Sequence, residues 1–176
     1  MLIRQATADD WPRIWPFWHR IVAAGETYTW DPGTSAEEAR VLWMNPAKRV
    51  WVVENDSGDV VASAFLTPNY GGPAARIANA GFMVDPAQGG RGYGRALAEH
   101  LLSEARDAGY RGMVFNAVVE TNPAVTLWTS LGFTILGTVP DAFDHPRHGR
   151  VGLHIMYRAL QGNGPTTVRA GRTAGS

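Results

Sequence analysis

The sequence predicts a single mixed α/β domain, and three observations carry that expectation. A chain of 176 residues with 45% hydrophobic and 18% charged residues has globular composition and enough length to bury a core. Its apolar segments, judged by period and by the turn residues between them, run in the order β-α-α-β-β-β-α-β-α-β-β. Up to about residue 160 there is no internal repeat and no change of composition class.

The elements follow from local pattern. Leu2 to Gln5 reads as a first strand. Thr7-Ala-Asp-Asp then opens a helix with Trp11, Ile14, Trp15 and Trp18 at helical spacing. Pro12 suits its first turn, whereas Pro16 predicts a kink or an interruption. After Gly25, Thr27 to Trp30 form a loop or a short extended piece. Thr34 or Ser35 caps a second helix that has Glu37 and Glu38 in its first turn. Arg49–Glu54 and Val60–Thr67 form a hairpin around Asn55-Asp-Ser-Gly58, and Arg76–Val84 is a fourth strand. The third helix, about 92–108, aligns Leu97, Leu101 and Ala105, and Gly109 ends it. Met113–Val119 is a nearly continuous apolar strand. A short helix with Ala124, Leu127, Trp128 and Leu131 on one face follows Asn122-Pro123. Two strands close the domain, Phe133–Val139 and Val151–Tyr157, separated by a polar loop from Pro140 to Gly149. Residues 161–176, rich in Gly, Thr and Arg, have little to bury and are expected to form a flexible tail outside the domain of residues 1–160.

Composition excludes several function classes. Sixteen Lys and Arg balance sixteen Asp and Glu, so no net field favours nucleic acid or an anionic membrane. Without cysteine there is no disulfide, thiolate metal site or cysteine nucleophile. The start MLIRQATADDW lacks the apolar run of a signal peptide, and a soluble cytoplasmic protein is expected. His145, His148 and His154 cluster in the sequence, but no closely spaced carboxylate set accompanies them, and no metal is expected.

The segment VDPAQGGRGYGRAL, residues 84–97, carries the first functional signal. A strand that ends in glycines and feeds a helix makes an anion site. The first helical N–H groups lack intrahelical partners, and the helix dipole is positive there. Gly89, Gly90, Gly92 and Gly94 permit close approach of the backbone, and Arg91 and Arg95 add donors. The alternative is a flexible turn. Two other phosphate loops fail on spacing: no Gly-Lys-Ser/Thr triplet is present, and a dinucleotide fingerprint would need glycine where Leu97 or Arg95 stands.

The segment FMVDPAQGGRGYGRAL followed by NPAVTLWTSLGF resembles the acetyl-CoA motifs of the GNAT superfamily of N-acetyltransferases. The resemblance extends over the order of elements from residue 2 to about 160. It implies a GNAT-like fold with a mostly antiparallel seven-stranded sheet, helices on both faces, and a splay between strands 4 and 5. It also implies that Met83 and Val84 offer backbone groups to the pantetheine arm of acetyl-CoA. Gly90, Arg91, Gly92, Tyr93, Gly94 and Arg95 would cradle the pyrophosphate, and Asn122 would bond the arm. The family's Arg/Gln position falls on Gly89, so that side chain is missing. The family's tyrosine, which protonates the departing thiolate, falls on Trp128, and an indole cannot supply that proton.

The reaction so implied is direct attack of an amine on the thioester, with no metal and with acetyl-CoA as co-substrate. Backbone N–H near Val84 would polarise the carbonyl. On the strand 113–120, alternation would set Asn116, Val118 and Glu120 on one face, and Asn79 would share a face with Gly81 and Met83. Asn79 and Asn116 read either as core amides or as groups that grip a polar substrate. Glu120 reads as a base acting through water or as an exposed strand-end carboxylate. Glu26 would orient an amine, and Tyr28 and Trp30 would wall the pocket or pack in the core. The stretches FNAVVETN, LWTSLGF and GTVP also resemble the fungal acetyltransferases of azetidine-2-carboxylate, which implies a small amino or imino acid as acceptor. The other readings are an amine xenobiotic as acceptor, a non-catalytic acyl-CoA-binding module, and a protein or peptide N-acetyltransferase. The stripe of Trp11, Trp15 and Trp18 reads as core or as a subunit contact, compatible with a homodimer.

Overall fold

The computed structural model describes residues 1–160; the expected tail lies outside the described residues. Seven strands and four helices alternate as β1 (Leu2–Gln5), α1 (Trp11–Ala23), α2 (Ala36–Trp43), β2 (Arg49–Glu54), β3 (Val60–Pro68), β4 (Ile77–Val84), α3 (Tyr93–Asp107), β5 (Gly112–Val119), α4 (Ala124–Ser130), β6 (Thr134–His145) and β7 (Gly149–Ala159). One sheet holds all seven strands in the order β1-β2-β3-β4-β5-β7-β6. Every neighbouring pair is antiparallel except β4 and β5.

Strand alternation sends side chains to two cores. Trp51, Val53, Ala62, Ala64 and Leu66 face Leu97, Leu101 and Ala105 of α3 and Trp128 of α4. Val50, Val52, Phe65 and Met83 face Ile14, Phe17 and Trp18 of α1 and Trp43 of α2. The second core contains one buried polar relay. Trp43 Nε1 donates to Ser63 Oγ at 2.9 Å, and Ser63 Oγ donates to the Trp51 carbonyl at 2.9 Å. Ser35 caps α2 in a reciprocal box with Glu38.

Three expectations need correction. Helix α1 runs through Pro16 without the interruption that was one of the two expected outcomes. The proline lies on the exposed side, where water can satisfy the carbonyl that its missing N–H leaves behind, while Ile14, Phe17 and Trp18 anchor the opposite face. The supposed polar loop 140–149 is instead a strand hairpin, with β6 reaching His145 and β7 beginning at Gly149. A register shift between Val139 and Phe143, with Asp141 at φ 51°, lets polar residues continue the ladder. Strand β5 also carries a bulge, between Phe115 and Val118, that breaks its alternation. Phe115 and Val118 both enter the α3 core, whereas Asn116 is exposed. Among the described residues no helix is long and apolar enough to cross a membrane.

Candidate active site

The parallel pair β4–β5 is the opening in the sheet. Its register covers only Ile77↔Gly112 and Ala78↔Met113; beyond these the strands separate. Residues 79–84 of β4 still pair with β3 on their other edge. Along an antiparallel edge, successive residues point their backbone groups to opposite sides. Asp85 N–H bonds to Val61 of β3, and the Arg76 carbonyl accepts from Arg111, the residue preceding β5. The parity therefore sets Ala80, Phe82 and Val84 toward the gap and Met83 toward β3. Of the two residues expected to offer backbone groups, Val84 faces the gap; Met83 does not, and its side chain is buried with α1.

The end of β4 leads directly into the glycine segment. Asp85 is tied on both sides, accepting from Arg20 at 2.9 Å and from Ala87 N–H at 3.0 Å. Gly90 and Gly92 have φ of 76° and 84°, a region that side chains avoid, and Gly92 is the N-cap of α3. No atom of the described residues lies within 4 Å of where their Cβ atoms would stand, so among these residues the loop borders open space. Gly89 has an ordinary φ of −59° and makes no such demand. Arg91 is exposed, and Tyr93 packs its ring on the α3 core. Gly94 sits against Val84, where a Cβ would meet Val84 Cγ2 at 3.4 Å. Arg95 is turned aside: Nη2 donates to Ser130 Oγ at 2.6 Å, and Nη1 lies 3.4 Å from Glu99, linking α3 to the end of α4. A helix mouth with open glycines, continuous with an unpaired strand edge, fits a diphosphate joined to an extended amide-bearing arm.

A cleft of about 260 Å³ passes through the gap. It brings together Tyr28 and Trp30 from the α1–α2 loop, Asn79 from β4, Asn116 from β5, and Asn122 and Trp128 at α4. Tyr28 stacks on Trp30 at 4.8 Å, and Trp30 stacks on Trp18 at 5.3 Å. Trp128 is buried and packs on Phe82 and Phe115, each 4.9 Å away between ring centroids. The Asn122 side-chain oxygen accepts from Ala124 N–H at 2.9 Å and so starts α4. Among the described residues no charged side chain lines the cleft.

Two expected residues stand elsewhere. Glu120 is absent from the cleft lining, and its Oε1 accepts from Gly152 N–H of β7 at 2.7 Å. The bulge at residues 116–117 is the reason, because it removes the shared face with Asn116 on which the base assignment stood. Glu26 does not line the cleft either; its carboxylate pairs with Arg147 of the β6–β7 turn at 2.8 Å. Among the described residues no three potential metal ligands come together.

Sequence reasoning missed two residues. Asn69, read only as part of a turn, exchanges two hydrogen bonds with Asn116 across the gap, at 2.6 and 3.2 Å. Phe65 floors the cleft edge-on to Trp43, at 5.0 Å between ring centroids. The pattern "strand, then Asn, then Gly-Gly-Pro" signalled the turn but not the partner 47 residues away.

Comparison with known proteins agrees with this geometry. The sequence model of the acetyltransferase (GNAT) family matches residues 8–133. A GCN5-related N-acetyltransferase from Kribbella flavida is 51% identical, with a TM-score of 0.87, covering 90% of this chain and 96% of that one. The protein yncA from Salmonella typhimurium, solved with its cofactor acetyl-CoA, is 27% identical with a TM-score of 0.76, covering 96% of this chain and 98% of that one. The N-acetyltransferase aca1 of Schizosaccharomyces pombe is 38% identical over 84 residues, which span 47% of this chain and only 40% of that protein. With the open strand pair, the glycine-mouthed helix and a family match over most of its length, the chain belongs to the acetyltransferase (GNAT) family and is an acetyl-CoA-dependent N-acetyltransferase.

Proposed function

We propose that this enzyme acetylates the amine of a small, polar molecule, an amino or imino acid, held in the cleft between β4 and β5. The observation that carries the reading is the cleft's lining: three asparagines and two threonines set among aromatic rings, with no charged side chain among the described residues, in about 260 Å³. An amide offers both a donor and an acceptor, so Asn79 and Asn116 are suited to a zwitterion carrying an ammonium and a carboxylate side by side. Asn69 fixes the amide of Asn116 and so its orientation. Tyr28 and Trp30 give the acceptor an apolar wall. The volume is below the usual range for drug-sized ligands, about 300–1,000 Å³, which favours a small acceptor over an extended chain.

On this reading acetyl-CoA lies with its diphosphate at residues 90–94 and its arm along the gap edge of β4, where Val84 offers backbone groups. The acceptor nitrogen attacks the thioester carbonyl, the C–N bond forms, and coenzyme A leaves as thiolate. Among the described residues no carboxylate or histidine lines the cleft, so on this reading the amine arrives neutral or loses its proton through water. An amine of pKa about 8 is substantially neutral near pH 7.5, whereas one of about 10.4 is neutral to about one part in a thousand.

The test is a thiol-release screen of amino acids, cyclic imino acids, simple amines and peptides. Amino or imino acids should exceed acetyl-CoA hydrolysis clearly. Asn79→Ala and Asn116→Ala should each raise the acceptor KM more than tenfold while leaving acetyl-CoA affinity within threefold. Turnover confined to peptides, or acceptor KM values unmoved in both variants, would refute the assignment.

A further inference from the structure

At the mid-point of the splay, where β5 has withdrawn, the backbone of Phe82 faces the gap without a strand partner. A side chain takes that place. The Tyr28 hydroxyl donates to the Phe82 carbonyl at 2.8 Å and accepts from the Phe82 N–H at 3.1 Å. One oxygen thus answers both backbone groups of a single residue, as a neighbouring strand would. The phenol is held from behind by its stack on Trp30 and an edge contact with Trp43, with ring centroids 4.8 and 6.4 Å away. It reaches the gap from the α1–α2 side. On the other side stands Trp128, which packs on the Phe82 ring at 4.9 Å and offers only an indole N–H. Among the described residues the cleft therefore carries one phenol, and it sits on the β4 edge.

We propose that Tyr28 is a hydrogen-bond donor to the acyl oxygen: its O–H turns from the Phe82 carbonyl to the thioester oxygen, joining the Phe82 N–H there. An acyl oxygen that shares the Phe82 N–H with the phenol lies beside the phenol oxygen, not in its place, and so comes within reach of the phenol O–H. Two donors then meet the oxygen as it gains negative charge during attack, an arrangement stronger in the transition state than in the ground state. The group donates a hydrogen bond and keeps its proton. Burial raises the phenol above its ordinary pKa, and the departing thiol has a pKa of about 8.5, so full proton transfer from phenol to thiolate runs uphill. The C–S pair leaves with sulfur, and the proton released by the new amide nitrogen goes to solvent. The proposal rests on acetyl transfer within the gap and is independent of which amine is used.

Tyr28→Phe keeps the stacked ring and deletes the donor. With acetyl-CoA labelled at the carbonyl carbon, isotope-edited infrared difference spectra report the bound thioester directly. In the wild type the carbonyl band should lie below its position in water, and in Tyr28→Phe it should move back part of the way. The kcat should fall about 100-fold, with acetyl-CoA affinity by calorimetry within threefold. A wild-type band at or above its position in water would overturn the proposal without any variant. So would a Tyr28→Phe protein with unchanged band and kcat, or one whose turnover falls only as far as its affinity. If the wild type shows no bound band at all, the acyl site itself is misplaced and the proposal falls with it.

Discussion

At Gly81 a Cβ would stand 2.4 Å from Cε1 of Phe65, inside the ring's contact surface. Phe65 is buried beneath the cleft, with Trp43 at its edge and the Lys48 ammonium 3.8 Å above its centroid. The ring has little room to retreat. Gly81→Ala should therefore cost about 1–3 kcal/mol by overpacking, read as a Tm lower by several degrees. Adding Phe65→Leu should recover part of that loss, because the smaller side chain yields the space. A double variant no more stable than Gly81→Ala alone would show that the contact does not set the cost. The same scale explains why Glu26 is not expected to hold the acceptor. It is partnered by Arg147, and a pair so near the surface contributes at most about 1 kcal/mol. Glu26→Gln should shift the acceptor KM by less than threefold, and a tenfold rise would restore it as a binding group.

At the scale of elements, β1, the start of α1 and β2 are joined by a four-residue charge network. Arg4 donates to Asp10 at 2.7 and 2.8 Å and to Glu54 at 2.6 Å, and Arg13 reaches Glu54 at 3.1 Å. The Arg4 hydrogen bonds are the main cause that brings the buried Asp10 carboxyl down to about 2 from its ordinary 3.8. A carboxyl lowered in the folded state stabilises the fold above its unfolded value and ceases to do so as pH falls. Asp10 should thus contribute about 2 kcal/mol at neutral pH, lost between about pH 4 and pH 2. Denaturant titrations of the wild type and Asp10→Asn should converge across that window, and parallel curves would exclude the linkage. The order of the elements was legible because each has its own periodicity or cap, such as the Thr34 or Ser35 cap of α2 and the glycine after α3. What could not be read were features set by partners distant in sequence. The bulge in β5 depends on its register with β7, and it moved Glu120 off the face that alternation assigned. The β6–β7 hairpin runs through polar residues because their partners are backbone groups, which hydrophobicity does not report. Candidate site residues fared by the same rule. Motif residues such as Gly92 and Asn122 were visible, whereas the Asn69–Asn116 and Tyr28–Phe82 contacts join segments 47 and 54 residues apart.

For the molecule as a whole, the gap divides the sheet into two parts joined by only two register pairs, β1–β4 on one side and β5, β7 and β6 on the other. Acetyl-CoA bound along β4 and under α3 would add contacts across that division, and any ligand taken up only by the folded state raises its stability. At 100 times Kd the gain is about 2.7 kcal/mol, a Tm increase of roughly 5–10 °C for a chain of this size. Gly92→Val should abolish the increase. A β-branched residue at φ 84° is strained, and its side chain would enter the open space beside the loop where the diphosphate is expected. Because the strain lowers the unliganded Tm by itself, the informative quantity is the ligand-induced shift within each protein, not the Tm values compared between them. A folded Gly92→Val protein that gains as many degrees from acetyl-CoA as the wild type would move the diphosphate away from the mouth of α3, and with it the direction in which the acyl group enters the gap.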